Sequence, residues 1–397
     1  MQQQFRAVYY PTSAASGDNS QRHFAKVLRE NDRWVDGRFD AQYWRHCDFG
    51  IYREVQLGCS PPLNEQHYTA DERYNLVKFV LAIYGKSITS PSVLMGDNCS
   101  TNKVLADRMG IPLVGCGCHK LNLAVKPFLG RRDAVEQSIA CVDAVITQLR
   151  NIKAAGSLRA LTPLAPIKRN VTRWSSTHSM LNRYLKIEKE LKQIDDVDTI
   201  RRTDLEHIKD ILSSMDNFKD VTTDLQRKGE HIGSVHDMFQ IMLEDYPEMK
   251  DYLAVDTAIS PKPLFESAVV KIINGKHDSL TAAEKNLVKK FLVKPTETEV
   301  APARSDEKRI YASALRERKR QKPTHPDEYA DLRFIAGTSA SVERLFSSAK
   351  HVLSSTRKRL TPVNFEKILF IKQNRFLWNA QMVAKAMKTC EHDQEVV

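Results

Sequence analysis

"SVLMGDNCSTN", residues 92–102, is the stretch on which the reading of this chain turns. Three apolar residues, Val93, Leu94 and Met95, run straight into Gly96, Asp97 and Asn98, and small polar residues follow. A short apolar run bounded by turn residues reads as a buried strand. Two explanations fit the carboxylate at its end. Asp97 or Ser100 can cap the next helix, a role both residue types fill well. Alternatively, Asp97 is a catalytic carboxylate at the carboxyl end of a sheet strand, where open α/β sheets place their chemistry.

Working outward, Tyr74, Val77, Val80, Leu81 and Tyr84 recur at helical spacing between Asp71 and Lys86. Ser100 to Met109 is a helix closed by Gly110 in the usual C-terminal glycine position. Leu113 to Cys116 is a second short strand, and the helix after it carries Leu121, Val125 and Phe128. Strands alternating with helices predict an α/β layer with a largely parallel part to its sheet. Upstream, "FRAVYY" (5–10) and "FGIYREVQLG" (49–58) suggest further strands.

After about residue 132 the strands stop. Met180, Tyr184, Ile187, Leu191 and Ile194 form one helical stripe, and Leu205, Ile208, Leu212, Met215 and Phe218 another. Thr281 with Glu284 makes a capping box that opens a further helix. "KPTETEVAPARS" (294–305) reads as a linker. Beyond it Val342, Leu345, Phe346, Ala349, Val352 and Leu353 define a helix, and Thr361-Pro362 starts one more. A helical block therefore interrupts an α/β core, and helices return to complete it.

Composition narrows the function. The chain has 397 residues, long enough for two or three domains or for one core with a large insertion. No apolar run approaches membrane-spanning length, and "MQQQFRAVYYPTS" lacks the apolar stretch of a secretory signal. Seven irregularly spaced cysteines argue against a disulfide framework and for a reducing compartment. The net charge of +11 is uneven, with a net of +4 between Ser305 and Lys322. Such a run is either a solvated helix face or a contact for a polyanion. Its core, "RERKRQK" (316–322), also fits a nuclear import signal.

Three further motifs carry candidate chemistry. In "VGCGCHKLNLAV" (114–125), Cys116 and His119 have the gap of half a zinc site, but no second pair follows at finger spacing, so no structural zinc is expected. His119 is either a contact for a phosphate at the sheet mouth or a satisfied histidine at a helix start. In "NVTRWSSTHSML" (170–181), Arg173 and Trp174 suit stacking on an unpaired base with a grip on the adjoining phosphate, or a tryptophan packed under a helix start. In "GTSASVERLFSSAK" (337–350), Glu343 lies early in an amphipathic helix, where a glutamate also favours the helix dipole.

The order of these motifs resembles the hAT (hobo/Activator-type) superfamily of DNA transposases. An Asp-Asn after a strand comes first, then Cys-x-x-His, Arg-Trp and a helical insertion, and last Ser-x-x-Glu-Arg-x-Phe-Ser. The resemblance spans roughly residues 36–378 and is strongest over 93–125 and over the segment "YADLRFIAGTSASVERLFSSAKHVLSSTRKRLTPVNFEKILFIKQNRFLW" (329–378). It implies an RNase H-like α/β core interrupted by a large all-helical insertion and completed by C-terminal helices. The divisions expected are an irregular segment to 35, core over 36–132, insertion over 133–300, a basic helix or linker over 301–325, the dimerisation region over 326–380 and a tail. The implied acids are Asp36, Asp97 and Glu343, binding two Mg²⁺ or Mn²⁺ ions, with Cys116 and His119 as the Cys-x-x-His pair and Trp174 as the insertion tryptophan. Two such ions drive in-line phosphoryl displacement, and hard cations that keep waters prefer carboxylates to nitrogen or sulfur cages. DNA is the implied partner and the nucleus the implied location, with Arg173, Arg344, Arg357 and Arg359 as further DNA contacts and self-association through the C-terminal region. The alternative is a catalytically inactive nuclear protein that dimerises and binds DNA.

The chain departs from the family pattern in two places. Asp36, in "RWVDGRFD", is followed by Arg38 and preceded by a poor strand, and Asp40 and Asp48 are rivals for the first acid. The family's N-terminal zinc-binding BED finger has no counterpart before Asp36, since the first cysteine is Cys47. A truncated or domesticated element copy is the expectation.

Overall fold

The central strand, β4 (Pro91–Gly96), is buried along its whole length. The computed structural model describes residues 5–9, 44–48, 54–59, 69–83, 86–257, 260–293, 328–353, 360–375, 379–382 and 384. Before β4 come β1 (Phe5–Tyr9), β2 (Trp44–Asp48), β3 (Glu54–Cys59) and α1 (Ala70–Ile83). After it come α2 (Ser100–Met109), β5 (Leu113–Gly115) and α3 (Gly117–Gly130). β4 pairs parallel with β5, with Gly96 opposite Gly115, and antiparallel with β1. β2 and β3 form an antiparallel pair lying beside β1.

The run Val93-Leu94-Met95 reads apolar without alternation because both faces of the strand are covered, as parallel strands require. Side chains alternate between faces. Leu94 and Leu113 pack with Leu76, Val77, Val80 and Leu81 of α1 and with Leu105 and Ala106 of α2. Val93, Met95 and Val114 point the other way, against Phe265, Ala268 and Val269. Each such side chain contributes about 1.5–3 kcal/mol on full burial.

The helical block follows as α4 (Asp133–Gln148), α5 (Ile152–Leu161), α6 (Trp174–Leu191), α7 (Arg202–Leu225), α8 (Ile232–Asp245), α9 (Lys250–Leu253), α10 (Pro263–Ile273) and α11 (Ala282–Val288). The two stripes of α6 and α7 fall in one apolar core with Val142, Val145 and Ile146 of α4 and Phe239 of α8. Thr281 and Glu284 form the expected capping box at α11. The end of this block does not stay apart from the sheet, because α10 supplies the layer on its second face. Tyr329, Leu332 and Ile335 join that layer from beyond the 294–327 stretch, and so the sheet is completed late in the chain.

The C-terminal helices are α12 (Ala340–Val352) and α13 (Pro362–Gln373). Thr361 caps α13 with its hydroxyl on the Asn364 N–H, and Pro362 takes the first helical position. Leu345, Ala349 and Val352 of α12 bury against Phe365 and Leu369 of α13. α12 also runs beside β2, and α13 beside β3. The molecule is mostly helical around a small mixed sheet. The linker at 294–305 and the basic run to Lys322 lie outside the described residues.

Candidate functional site

The parallel strands β4 and β5 end side by side, and three chain segments meet at that end. The Cys116 N–H donates to Gly96 O at 2.9 Å, which places the start of α3 next to Asp97. Gly117 N–H donates to Gly337 O, also at 2.9 Å, which brings the approach to α12 onto the same edge. Both glycines are required by this contact. A Cβ on Gly117 would meet Val235 Cγ1 at 2.7 Å, and one on Gly337 would meet His231 O at 2.9 Å.

Asp97 follows the last residue of β4 and is half-buried. Its carboxylate Oδ1 accepts a 2.6 Å hydrogen bond from Asn102 Nδ2, which also reaches the Asp97 carbonyl at 3.2 Å. Asn102 is buried, and its Oδ1 accepts from Arg73 Nη1 at 3.0 Å. Neither Asp97 nor Ser100 caps α2. The cap is Cys99, whose sulfur accepts from the Asn102 N–H at 3.4 Å. Cys99 has the extended backbone a cap needs, and Asp97 is left to Asn102. Gly110 closes α2 in the left-handed region, with φ 66°.

Cys116 is the first residue before α3 and is fully buried. Its sulfur accepts from the Ser339 N–H at 3.3 Å and the Ser339 hydroxyl at 3.1 Å. The neighbouring Cys118 thiol lowers the Cys116 thiol to about 6 against the effect of burial, with help from Ser339 and the His119 backbone. The same contact pushes Cys118 up, and burial adds to it. His119 is half-buried in the first turn of α3. Sulfur thus ties the strand end to the residue before α12, one helical turn ahead of Glu343.

Glu343 lies in the first turn of α12 and is half-buried. Burial pushes its carboxyl up, and the charges of Arg173 and Arg344 oppose that shift. Its charge in turn reaches Cys118. The start of α12 is thus brought beside the start of α3, which adjoins the strand end that Asp97 follows, and Glu343 lies in the first turn of α12. Arg344 donates to Gln226 O at 2.6 Å, so its guanidinium is already held at the end of α7.

Trp174 is 8% exposed and belongs to the helical core. Its ring meets Phe218 edge-on at 6.1 Å and His178 at 6.5 Å. In this structure the indole is packed under the start of α6. The apolar set of α6 closes over the indole. Phe370 is buried as well, with Phe365 and Leu369, because α13 has both α12 and β3 to pack on. Ile368 is 38% exposed and faces outward.

Asp36, its rival Asp40, and Arg357 and Arg359 lie outside the described residues. Asp48 ends β2. Among the described residues no group of three or more His, Cys, Asp or Glu is gathered to hold a metal. Nor is any helix among them long and apolar enough to cross a membrane. The Asp97 and Glu343 carboxylates are of the donor type that suits a hard cation keeping part of its water.

Sequence reasoning missed a second polar cluster behind this edge. Lys120 Nζ meets Glu266 Oε2 at 2.6 Å, and both side chains are buried. Glu266 Oε1 accepts from the Gly115 N–H at 3.1 Å, and His236 Nε2 lies 3.7 Å from Oε2. Burial alone would raise the Glu266 carboxyl. The Lys120 charge, with its hydrogen bond and the nearby polar groups of His236 and Ser260, outweighs it and holds the group at about 2. Glu266 sits on an otherwise apolar α10 stripe, where the lone acid was the one available signal.

Residues 321–375 match the hAT family C-terminal dimerisation region. The matched residues include all of α12 and α13. The match covers 55 of the 397 residues and is to that region alone. No curated protein matches the chain.

Proposed function

We propose that this chain is a hAT transposase-like protein built on an RNase H-like core, in which Asp97 and Glu343 hold Mg²⁺ or Mn²⁺ for DNA strand cleavage and transfer. The observation that supports it most is the meeting of the Asp97 strand end, the Cys116–His119 helix start and the Glu343 helix at one sheet edge. When bound, two such ions supply the Lewis-acid charge for in-line phosphoryl displacement. The chain's own part is positional. Asn102 orients the Asp97 carboxylate, and the Cys116–Ser339 contact seats α12 so that Glu343 reaches the edge.

Asp36 is proposed as the third acid. His119, at the mouth of the sheet, is proposed to contact a DNA phosphate, and Arg173 with Arg357 and Arg359 to grip the backbone. Trp174 in its seated position is left out of the DNA contacts. Self-association through residues 321–375 makes the working unit an oligomer acting in the nucleus.

The test is Mg²⁺- or Mn²⁺-dependent nicking of a DNA duplex by the full chain, with Asp97→Ala and Glu343→Ala as controls. Metal-dependent nicking lost in both variants is the expected result. Nicking that survives Asp97→Ala refutes the assignment. A second reading, an inactive dimerising DNA-binding protein, draws on one observation: Glu343 already has the Arg173 charge facing it. Salt-sensitive DNA binding without any cleavage would favour that reading.

A further inference from the structure

Arg73 is placed where helix physics disfavours it. It lies in the first turn of α1, against the positive end of the helix dipole. It is also buried, 3% exposed, beside Leu76 and Val77. A buried cation at that position costs free energy that a leucine would not. Its guanidinium donates to Asn102 Oδ1 at 3.0 Å, and its charge is felt at Cys99, which also contacts Asp97.

An arginine offers donors only, while a side-chain amide has one accepting end and one donating end. Facing Arg73, Asn102 must present its oxygen. Its NH₂ is then turned to Asp97, where it donates at 2.6 Å. Without Arg73, the amide keeps the contacts of its NH₂ with the Asp97 carboxylate and carbonyl to hold it in this orientation. From the other end, Arg73 sets the face of Asn102 that Asp97 meets.

We propose that Arg73 and Asn102 are positioning residues for Asp97, forming a relay in which the buried guanidinium locks the Asn102 amide and the amide locks the carboxylate in the orientation a divalent cation needs. The inference rests on the reading of Asp97 as a metal-binding carboxylate. Partners one shell behind a metal ligand fix its geometry, and their loss costs about 10- to 100-fold in metal affinity.

The experiment is titration of Mn²⁺ into the full chain by calorimetry, with the metal-free melting temperature as the folding control. Arg73→Met combined with Asn102→Leu replaces the two side chains by apolar groups of similar size, and the metal-free melting temperature reads what folding loses. Under conditions where it is folded, it should bind Mn²⁺ about 10- to 100-fold more weakly than the parent chain. Arg73→Met alone should also weaken Mn²⁺ binding, and Arg73→Lys, which restores a buried donor, should recover it. A role in folding alone would instead lower the melting temperature and leave Mn²⁺ affinity untouched, and that result overturns the relay. Should the double variant not fold, parental affinity in Arg73→Met overturns it equally. Asp97→Ala separates the two levels: if it binds Mn²⁺ as tightly as the parent chain, the metal reading itself fails and the relay with it.

Discussion

Replacing Glu266 by glutamine should destabilise the protein by about 3–5 kcal/mol, the usual cost of leaving one partner of a buried ion pair alone. The geometry sets this scale. Lys120 and Glu266 are both buried and 2.6 Å apart, and the same carboxylate takes the Gly115 N–H at the end of β5. The carboxyl lies at about 2 against an ordinary 4.5, a difference worth about 3 kcal/mol at 1.36 kcal/mol per pH unit. Because the folded value is the lower one, this stability is fully present above about pH 4.5 and is lost as the pH falls toward 2. Urea unfolding at pH 7 and at pH 3, followed by tryptophan fluorescence, measures both effects. The parent chain should lose stability between the two and Glu266→Gln should lose less. Lys120→Met with Glu266→Leu should recover most of the loss, since a buried pair is commonly replaced by apolar groups without penalty. A single variant within about 1 kcal/mol of the parent, or a double variant as damaged as the single, would refute the reasoning.

Other expectations follow from single contacts. Cys116→Ala removes the sulfur that two Ser339 donors reach and should cost about 1–3 kcal/mol. Limited proteolysis should then cut first around Ser339, and an unchanged digestion pattern would count against the contact. Glu343→Gln should raise stability at pH 7, because burial raises this carboxyl and the folded state disfavours its charge. The gain should shrink as the pH falls below the folded value and vanish below the unfolded one, which thermal melts across pH would show. Trp174→Ala should unfold the helical block at a cost of about 3–5 kcal/mol; a variant that melts like the parent would mean the indole is not core. Ile368→Asp, on the exposed side of α13, should reduce self-association in light scattering without lowering the melting temperature, whereas Phe370→Asp should lower both.

Local structure was largely written in the sequence. The apolar run before Asp97, the glycine stop at Gly110, the Thr281–Glu284 box and the Thr361-Pro362 start are short-range devices, each needing only its own neighbours to operate. The helical stripes of α6 and α7 were legible for the same reason: one face had to be buried whatever lay opposite. The likeness of residues 329–378 to the hAT C-terminal region was legible too, and the match over residues 321–375 bears out that part. Tertiary structure alone decided what covers each face. That α10 closes the second side of the sheet, that Trp174 and Phe370 are core, and that Cys99 displaces Asp97 as the cap depend on partners far away in the chain or on competition for one carboxylate. The pairings Arg73–Asn102, Cys116–Ser339 and Lys120–Glu266 join residues 29, 223 and 146 positions apart. No local pattern encodes such pairs, because a buried charge or thiol is tolerable only where folding brings it a partner.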